Sequence, residues 1–473
     1  MWRTLAIVLL VGLLVGSTGA NIVLLQRANT SQSEANQLRQ RALSAEQERS
    51  ALQARVDQLT AASATPAGTP GVPAPGAQAP ASGTPSTGGP DGAVLQRIQQ
   101  QVSQLRGLTP KVDVPLRFMN TEELKRYLVQ NFDRDYLPKE RESDQKLLEM
   151  MGVLNQGDNV VQILIELLTE EVIGTYNEDE KVMYLVGDSG RFGPDEQTTF
   201  AHEFTHSLQD QYHDIRKIMP KHPDNDDRAL AVQSVVEGDA VLIQRLWAQQ
   251  NLSPSELAQL GQGGGESKLF QAPPFIREQL LFPYGDGFNF VRQAYQQGGS
   301  TAVDALLQNP PESTEQILHP DKYRSHEAPI KVDLPDLSPA LGEGWRTINS
   351  NIMGEASIRL MLEEYADAAR AGRAAAGWGG DRWQLLEKDG RQALVMKTVW
   401  DTDNDAREFF DAEGLALKNR FSGAKEEAAT QTRQALTAAT NATDVRIDGK
   451  SVTVVISFDR PSAEAIVSAV GGG

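Results

Sequence analysis

Residues 65–92, "TPAGTPGVPAPGAQAPASGTPSTGGPDG", constrain this chain more than any other stretch. Nearly all of them are Pro, Gly, Ala, Ser or Thr, so the segment cannot bury enough apolar surface to offset the entropy of ordering itself. It reads as a linker over 61–92. It divides the 473 residues into a short leading part and a body long enough for more than one packed domain.

Ahead of the linker, Leu5–Leu25 is uncharged and mostly apolar, and about 20 such residues cross a bilayer as a helix. Thr18-Gly19-Ala20 would also serve as a signal-peptide cleavage site. The apolar run resumes at Ile22–Leu25, which favours an uncleaved anchor over residues 1–27. Either reading exports the rest, so the expectation is a single-pass cell-membrane protein with its body outside the cytoplasm. Residues 28–60 are polar and helix-prone, with Leu38, Ala42, Ala45, Arg49, Leu52, Val56 and Leu59 at alternating four- and three-residue steps. Gly12 and Gly16 add a small-xxx-small pair. A stalk that joins two copies into a homodimer and a single solvated stalk helix both fit.

The chain carries 63 acidic against 45 basic residues, a net charge of −18, with no basic run to reverse it locally. Such a surface repels phosphates, so nucleic acid is excluded as an expected partner. There is no Cys, and therefore no disulfide, thiol nucleophile or thiolate ligand. Any metal site must draw on carboxylates and on the 6 His.

The body divides into 93–330 and 331–473. In the first part, Asn120 and Glu123 are spaced as a capping box, and two β-prone runs flank Asn177-Glu178-Asp179. Helices are expected from about Pro194 and over 228–250. In the second, a helical bridge over Asn351–Ala371 precedes strands, two of them joined at Asp448-Gly449. The expected fold class is α+β: a mostly helical body with a small β-sheet, then a C-terminal α+β module, preceded by a transmembrane helix and a stalk.

Chemistry concentrates in "TTFAHEFTHSLQDQYH", residues 198–213. Positions i and i+4 share a helix face, so His202 and His206 are able to offer two nitrogens to one Zn2+ ion. Glu203, about 100° around the helix, is placed to take a proton from a metal-bound water. The competing reading is a helix that happens to carry two histidines. A third ligand is needed. Glu237 lies in the otherwise apolar run "VQSVVEGDAVLIQRLW" beside Gly238. A carboxylate in such a run is costly unless paired or metal-bound. A mid-helix Gly points to close approach of another backbone. A Glu at the edge of a solvated face is the alternative. For the oxyanion stabiliser the candidates are His319 and Tyr323 in "HPDKY", ahead of Tyr176 and His213. Phe282-Pro283-Tyr284 reads as core before substrate subsite.

His202-Glu203-x-x-His206 with Glu237-Gly238-Asp239-Ala240 resembles the gluzincin branch of zinc metallopeptidases, the thermolysin-like zincins. More closely, it is similar to bacterial membrane-anchored proteins bearing this signature. The resemblance extends to "VIGTYNEDEKVMYLV", "FPYGDGFNFV", "PPESTEQILHPDKY" and "WGGDRW". It implies a zincin-like peptidase body, with His202, His206 and Glu237 holding Zn2+ and Glu203 acting as general base. It also implies that strand Val182–Val186 is an edge strand pairing with an extended peptide or protein substrate. Thermolysin-like enzymes place an Asp four residues after the ligand Glu to orient a histidine. Here that position is Val241, which leaves Asp239 or Asp210 for the role.

Overall fold

A computed structural model describes residues 92–186, 192–219, 224–260 and 268–471. The anchor over 1–27, the stalk over 28–60 and all but the last residue of the linker lie outside the described residues. Among the described residues no helix is long and apolar enough to cross a membrane.

The fold is α+β. Helix α1 (Gly92–Arg106) leads to strand β1 (Leu116–Met119). Helices α2 (Thr121–Asp135), α3 (Pro138–Met151) and α4 (Val160–Glu171) follow. The box at the start of α2 forms as expected. Glu123 N–H donates to Asn120 Oδ1 at 3.0 Å, and Asn120 N–H donates to the Glu123 carboxylate at 2.8 Å. The hairpin around residues 177–179 is β2 (Gly174–Asn177) and β3 (Val182–Val186), with β1 alongside in the order β1-β3-β2. Strand β3 therefore pairs on both sides, parallel to β1 and antiparallel to β2. The expectation that Val182–Val186 is an edge strand is corrected: its backbone groups are taken, and the edge next to the helices is β2.

Two long helices form the centre. Helix α5 (Pro194–His213) has Pro194 in its first turn, where the missing N–H costs nothing. Glu196 reaches back to accept from the Gly193 N–H at 2.8 Å. Helix α6 (Asp226–Asn251) is capped by Asn225, whose side chain accepts from the Arg228 N–H at 2.9 Å. Its residues from Ala229 to Ile243 are all buried, so it is hydrated on no face in that span. Helix α7 (Pro274–Phe282) runs through a single π turn, Pro283–Gly287, into α8 (Phe288–Gln308). The short α9 (Thr314–Leu318) completes this part.

Beyond residue 331 the bridge departs from expectation. Arg346–Asn351 is strand β4, and the helical bridge is two pieces, α10 (Gly354–Glu363) and α11 (Ala368–Ala375). Strands β5 (Trp378–Lys388) and β6 (Arg391–Trp400) precede α12 (Asp403–Arg420). Then come β7 (Lys425–Ala429), β8 (Arg433–Thr437), β9 (Ala442–Asp448), β10 (Ser451–Ser457) and α13 (Arg460–Gly471). The strands form one antiparallel sheet, β4-β5-β6-β10-β9-β8-β7. The β9–β10 turn is at Asp448-Gly449 as expected, with Gly449 at φ +53°. The two parts share one apolar core, which joins Val232, Leu281 and Ile317 to Met353, Trp383 and Phe409.

Candidate metal centre

The buried faces of α5 and α6 meet, and three side chains converge there. His202 Nε2 and His206 Nε2 are 3.0 Å apart, and Glu237 Oε2 lies 3.3 and 3.4 Å from them. Ligand bonds of roughly 2.0–2.2 Å in a tetrahedron put neighbouring donors roughly 3.3–3.5 Å apart. Two edges of the observed triangle have those dimensions, the imidazole–imidazole edge at 3.0 Å is shorter, and the three residues form a metal-competent group.

Hydrogen bonding behind the rings settles their orientation. The Gln209 amide nitrogen donates to the Val236 carbonyl at 2.9 Å and to Asp239 Oδ2 at 2.8 Å. Its oxygen therefore faces His206 Nδ1, 2.8 Å away, and can only accept. Nδ1 of His206 must carry the proton, which leaves a bare lone pair on Nε2 aimed into the triangle. Gln244 Oε1 lies 3.3 Å from His202 Nδ1. Two lone pairs and a carboxylate oxygen facing one another at such distances repel unless a cation or a proton lies among them. Burial pushes His206 down, but the Glu237 carboxylate overrides it and raises that imidazole to about 9. Burial likewise pushes Glu237 up, yet the two imidazoles bring it down to about 2.

Two further buried groups face the triangle. Glu203 has neither carboxylate oxygen in a hydrogen bond. Burial raises its pKa, against the pull of His202 and His206, and Glu237 raises it further. The backbone of Tyr176 in the edge strand β2 faces it. The Tyr284 hydroxyl is also buried and lies beside the Glu237 carboxylate, and its ring stacks on His202 at a centroid distance of 6.5 Å. Burial and the Glu237 and Glu203 carboxylates hold that phenol well above its usual range. Tyr284 reaches this position because the π turn presses directly on α6. A Cβ on Gly238 would stand 2.6 Å from the Gly287 carbonyl oxygen, and one on Gly287 would stand 2.4 Å from that of Ser234. Both positions therefore need glycine. The close backbone approach expected at Gly238 is present, but the partner is the π turn and not α5.

The other candidates are engaged elsewhere. His319 Nε2 meets Glu355 at 2.9 Å, and the Tyr323 hydroxyl donates to the Asn309 carbonyl at 2.8 Å with its ring edge-on to Phe290. Neither is brought to the triangle by these contacts, whereas Tyr284 is the phenol that lies beside it. Tyr176 donates to Asp210 at 2.8 Å, and His213 faces Asp304 at 3.2 Å. Asp210 thus supports Tyr176. Asp239 supports the imidazole of His206 at one remove, through Gln209, and is itself held by Arg106 Nε at 2.9 Å. The signal for Gln209 was its place one turn beyond His206, and Tyr284 was read only within Phe282-Pro283-Tyr284, as core before substrate subsite; Gln244 carried none. A second acidic convergence, Glu315, Glu327 and Asp401, already surrounds the Lys322 ammonium at 2.7, 2.6 and 2.5 Å.

Residues 344–467, which run from just before β4 into α13, match a family described as Domain of unknown function (DUF8575). The match does not include the triangle. No curated protein and no solved structure matches the chain. The gluzincin resemblance accordingly rests on the residues of the motif.

Proposed function

We propose that this protein is a zincin-like metallopeptidase, tethered by residues 1–27 with its body outside the cytoplasm, that hydrolyses peptide bonds of a peptide or protein substrate. The observation that carries the reading is the triangle of two bare imidazole nitrogens and one carboxylate oxygen, with the unpartnered Glu203 beside it. Buried polar atoms without partners are rare in folded proteins, and a carboxylate in that state calls for a ligand. His202, His206 and Glu237 would hold Zn2+, which supplies Lewis-acid polarisation of the scissile carbonyl and acidifies water to a pKa of about 7.

The chain's own groups do the rest. Glu203 takes a proton from the attacking water as its oxygen bonds to the carbonyl carbon. It returns that proton to the leaving amide nitrogen as the C–N bond breaks. Tyr284 donates its hydroxyl proton in a hydrogen bond to the oxygen that becomes negative. Gln209 and Gln244 keep both Nε2 atoms bare and aimed inward.

The test is metal analysis of the purified protein together with proteolysis assays with and without a chelator, on wild type and Glu203→Gln. The reading expects zinc in both proteins and chelator-sensitive turnover in wild type alone. Equal turnover in the two would refute Glu203 as the base. One observation favours a second reading, a cation that only staples α5 to α6: His202, Glu203 and Glu237 are fully buried and His206 is 2% exposed. Zinc in both proteins, a fall in melting temperature on chelation and no turnover in either would establish that staple.

A further inference from the structure

The chain has 63 acidic side chains, yet two arginines near the triangle are paired with no carboxylate among the described residues. Arg245 in α6 sits over the Phe288 ring at 4.1 Å, and Arg292 in α8 approaches the same ring at 5.4 Å. Arg292 donates to Asn289 Oδ1 at 3.2 Å. Among the described residues, neither guanidinium meets a carboxylate. Both are half-buried. Burial and the neighbouring Arg292 charge lower Arg245 to about 10. Two like charges stacked about one aromatic ring, with donors left open, form an arrangement completed by an anion.

Its position ties it to the triangle. Seven residues bring a helix almost back to the same face, so Gln244 lies on the face of Glu237, and Arg245 lies on that of Gly238. The Glu237 face meets α5, where Gln244 touches His202. The Gly238 face meets the π turn that carries Tyr284. Of the two amides beside the imidazoles, Gln209 is buried, whereas Gln244 and its neighbour Arg245 are half-buried, so this end of α6 is the more exposed side of the junction. Glu237 and Arg245 are eight residues apart, a rise of about 12 Å. An extended peptide covers that span in roughly three to four residues.

We propose that Arg245 and Arg292 form a carboxylate-binding subsite that selects peptides bearing an acidic side chain, or their C-terminal carboxylate, about three or four residues from the bond cleaved. The inference rests on the peptidase reading for the word "cleaved", but the subsite itself stands on the unpaired guanidiniums. Arginine suits the task because its planar fork matches a carboxylate with two parallel hydrogen bonds.

The experiment uses the full-length, zinc-loaded protein. Peptides that share one core sequence carry Glu or Gln at successive positions, each with a free or amidated C-terminus. Wild type is expected to favour the better-placed carboxylate at least about tenfold in kcat/KM, the scale of one charge-assisted hydrogen bond. In Arg245→Gln and Arg292→Gln the Glu/Gln and acid/amide ratios fall toward one. The position of the preferred Glu, or a preference for the free terminus, distinguishes the two sources of the carboxylate. A wild-type ratio of one, or an unchanged ratio in both variants, overturns the proposal. If Arg245→Gln does not fold, Arg245→Lys keeps the charge without the fork and shows a reduced ratio. Fluorescence anisotropy with the same peptides and no turnover is the second arm. If wild type cleaves nothing, the peptidase reading falls, and the subsite is then upheld by an Arg245-dependent tenfold preference in binding or overturned by its absence.

Discussion

The centre of the C-terminal sheet and the α5–α6 junction both bury carboxylates, and they treat them in opposite ways. Asp444 in β9 is fully buried and receives Arg433, Arg446 and Arg460. Asp381 in β5 accepts from the Met353 and Gly354 N–H groups and from Trp378 Nε1. At the junction, Glu203 has no side-chain hydrogen-bond partner, and Glu237 meets only the two imidazoles and the Tyr284 hydroxyl among the described residues. A buried charge whose partners are all present braces a fold. One whose hydrogen-bond partners are few is costly to bury and is competent to take up a ligand.

The largest expected effect is at Glu203. Glu203→Gln should lower turnover by about 10²–10⁴-fold, the usual weight of a general base, while zinc content measured by atomic emission stays the same. The matching change in the sheet, Asp444→Asn, should cost roughly 1–3 kcal/mol in urea unfolding because it removes the buried charge that three half-buried arginines share. Zinc content should not change, and loss of zinc there would break the comparison. Tyr284→Phe comes next: kcat is expected to fall about 10²–10³-fold with the metal retained, as when one oxyanion donor is removed. Gln209→Ala should weaken zinc affinity roughly ten- to a hundredfold in a competition titration, since it frees the His206 ring to rotate or change tautomer.

The smallest effect is a pH dependence. Burial raises Asp381 to about 6, above its ordinary value of 3.8, despite its three donors. The folded state then holds a proton that the unfolded state releases. Its contribution to stability is complete below about pH 4 and is lost as pH rises through 6, at a slope of at most about 1.4 kcal/mol per pH unit. Asp381→Asn should remove that slope in unfolding curves taken at pH 4 and 7, and leave the zinc titration unchanged.

How much of this was legible from residues alone depended on range. The capping box at Asn120 and Glu123 and the turns at 177–179 and 448–449 involve neighbours in sequence, and all form as read. The bridge over 351–371 was read as helical, and neither its break into α10 and α11 nor the strand Arg346–Asn351 just ahead of it carries a local signal; the strand character comes from pairing with β5. The edge-strand expectation for Val182–Val186 failed for the same reason, since β1, from more than sixty residues earlier, takes the second side. His319 and Tyr323 were drawn from a loop whose direction in space no pattern reports.

Residue order by itself determined the helical spacing of His202 and His206, the placing of Glu203 between them, and the oddity of Glu237 beside Gly238. Those depend on the 3.6-residue turn and on the cost of an acid in an apolar run, and both act within one helix. Only the tertiary structure decided that Gln209 and Gln244 hold the imidazoles, that Tyr284 lies over His202, and that Arg245 and Arg292 share a ring. Each of these needs two segments to meet at van der Waals distance, and which segments meet is set by packing of the whole core, not by any one stretch of it.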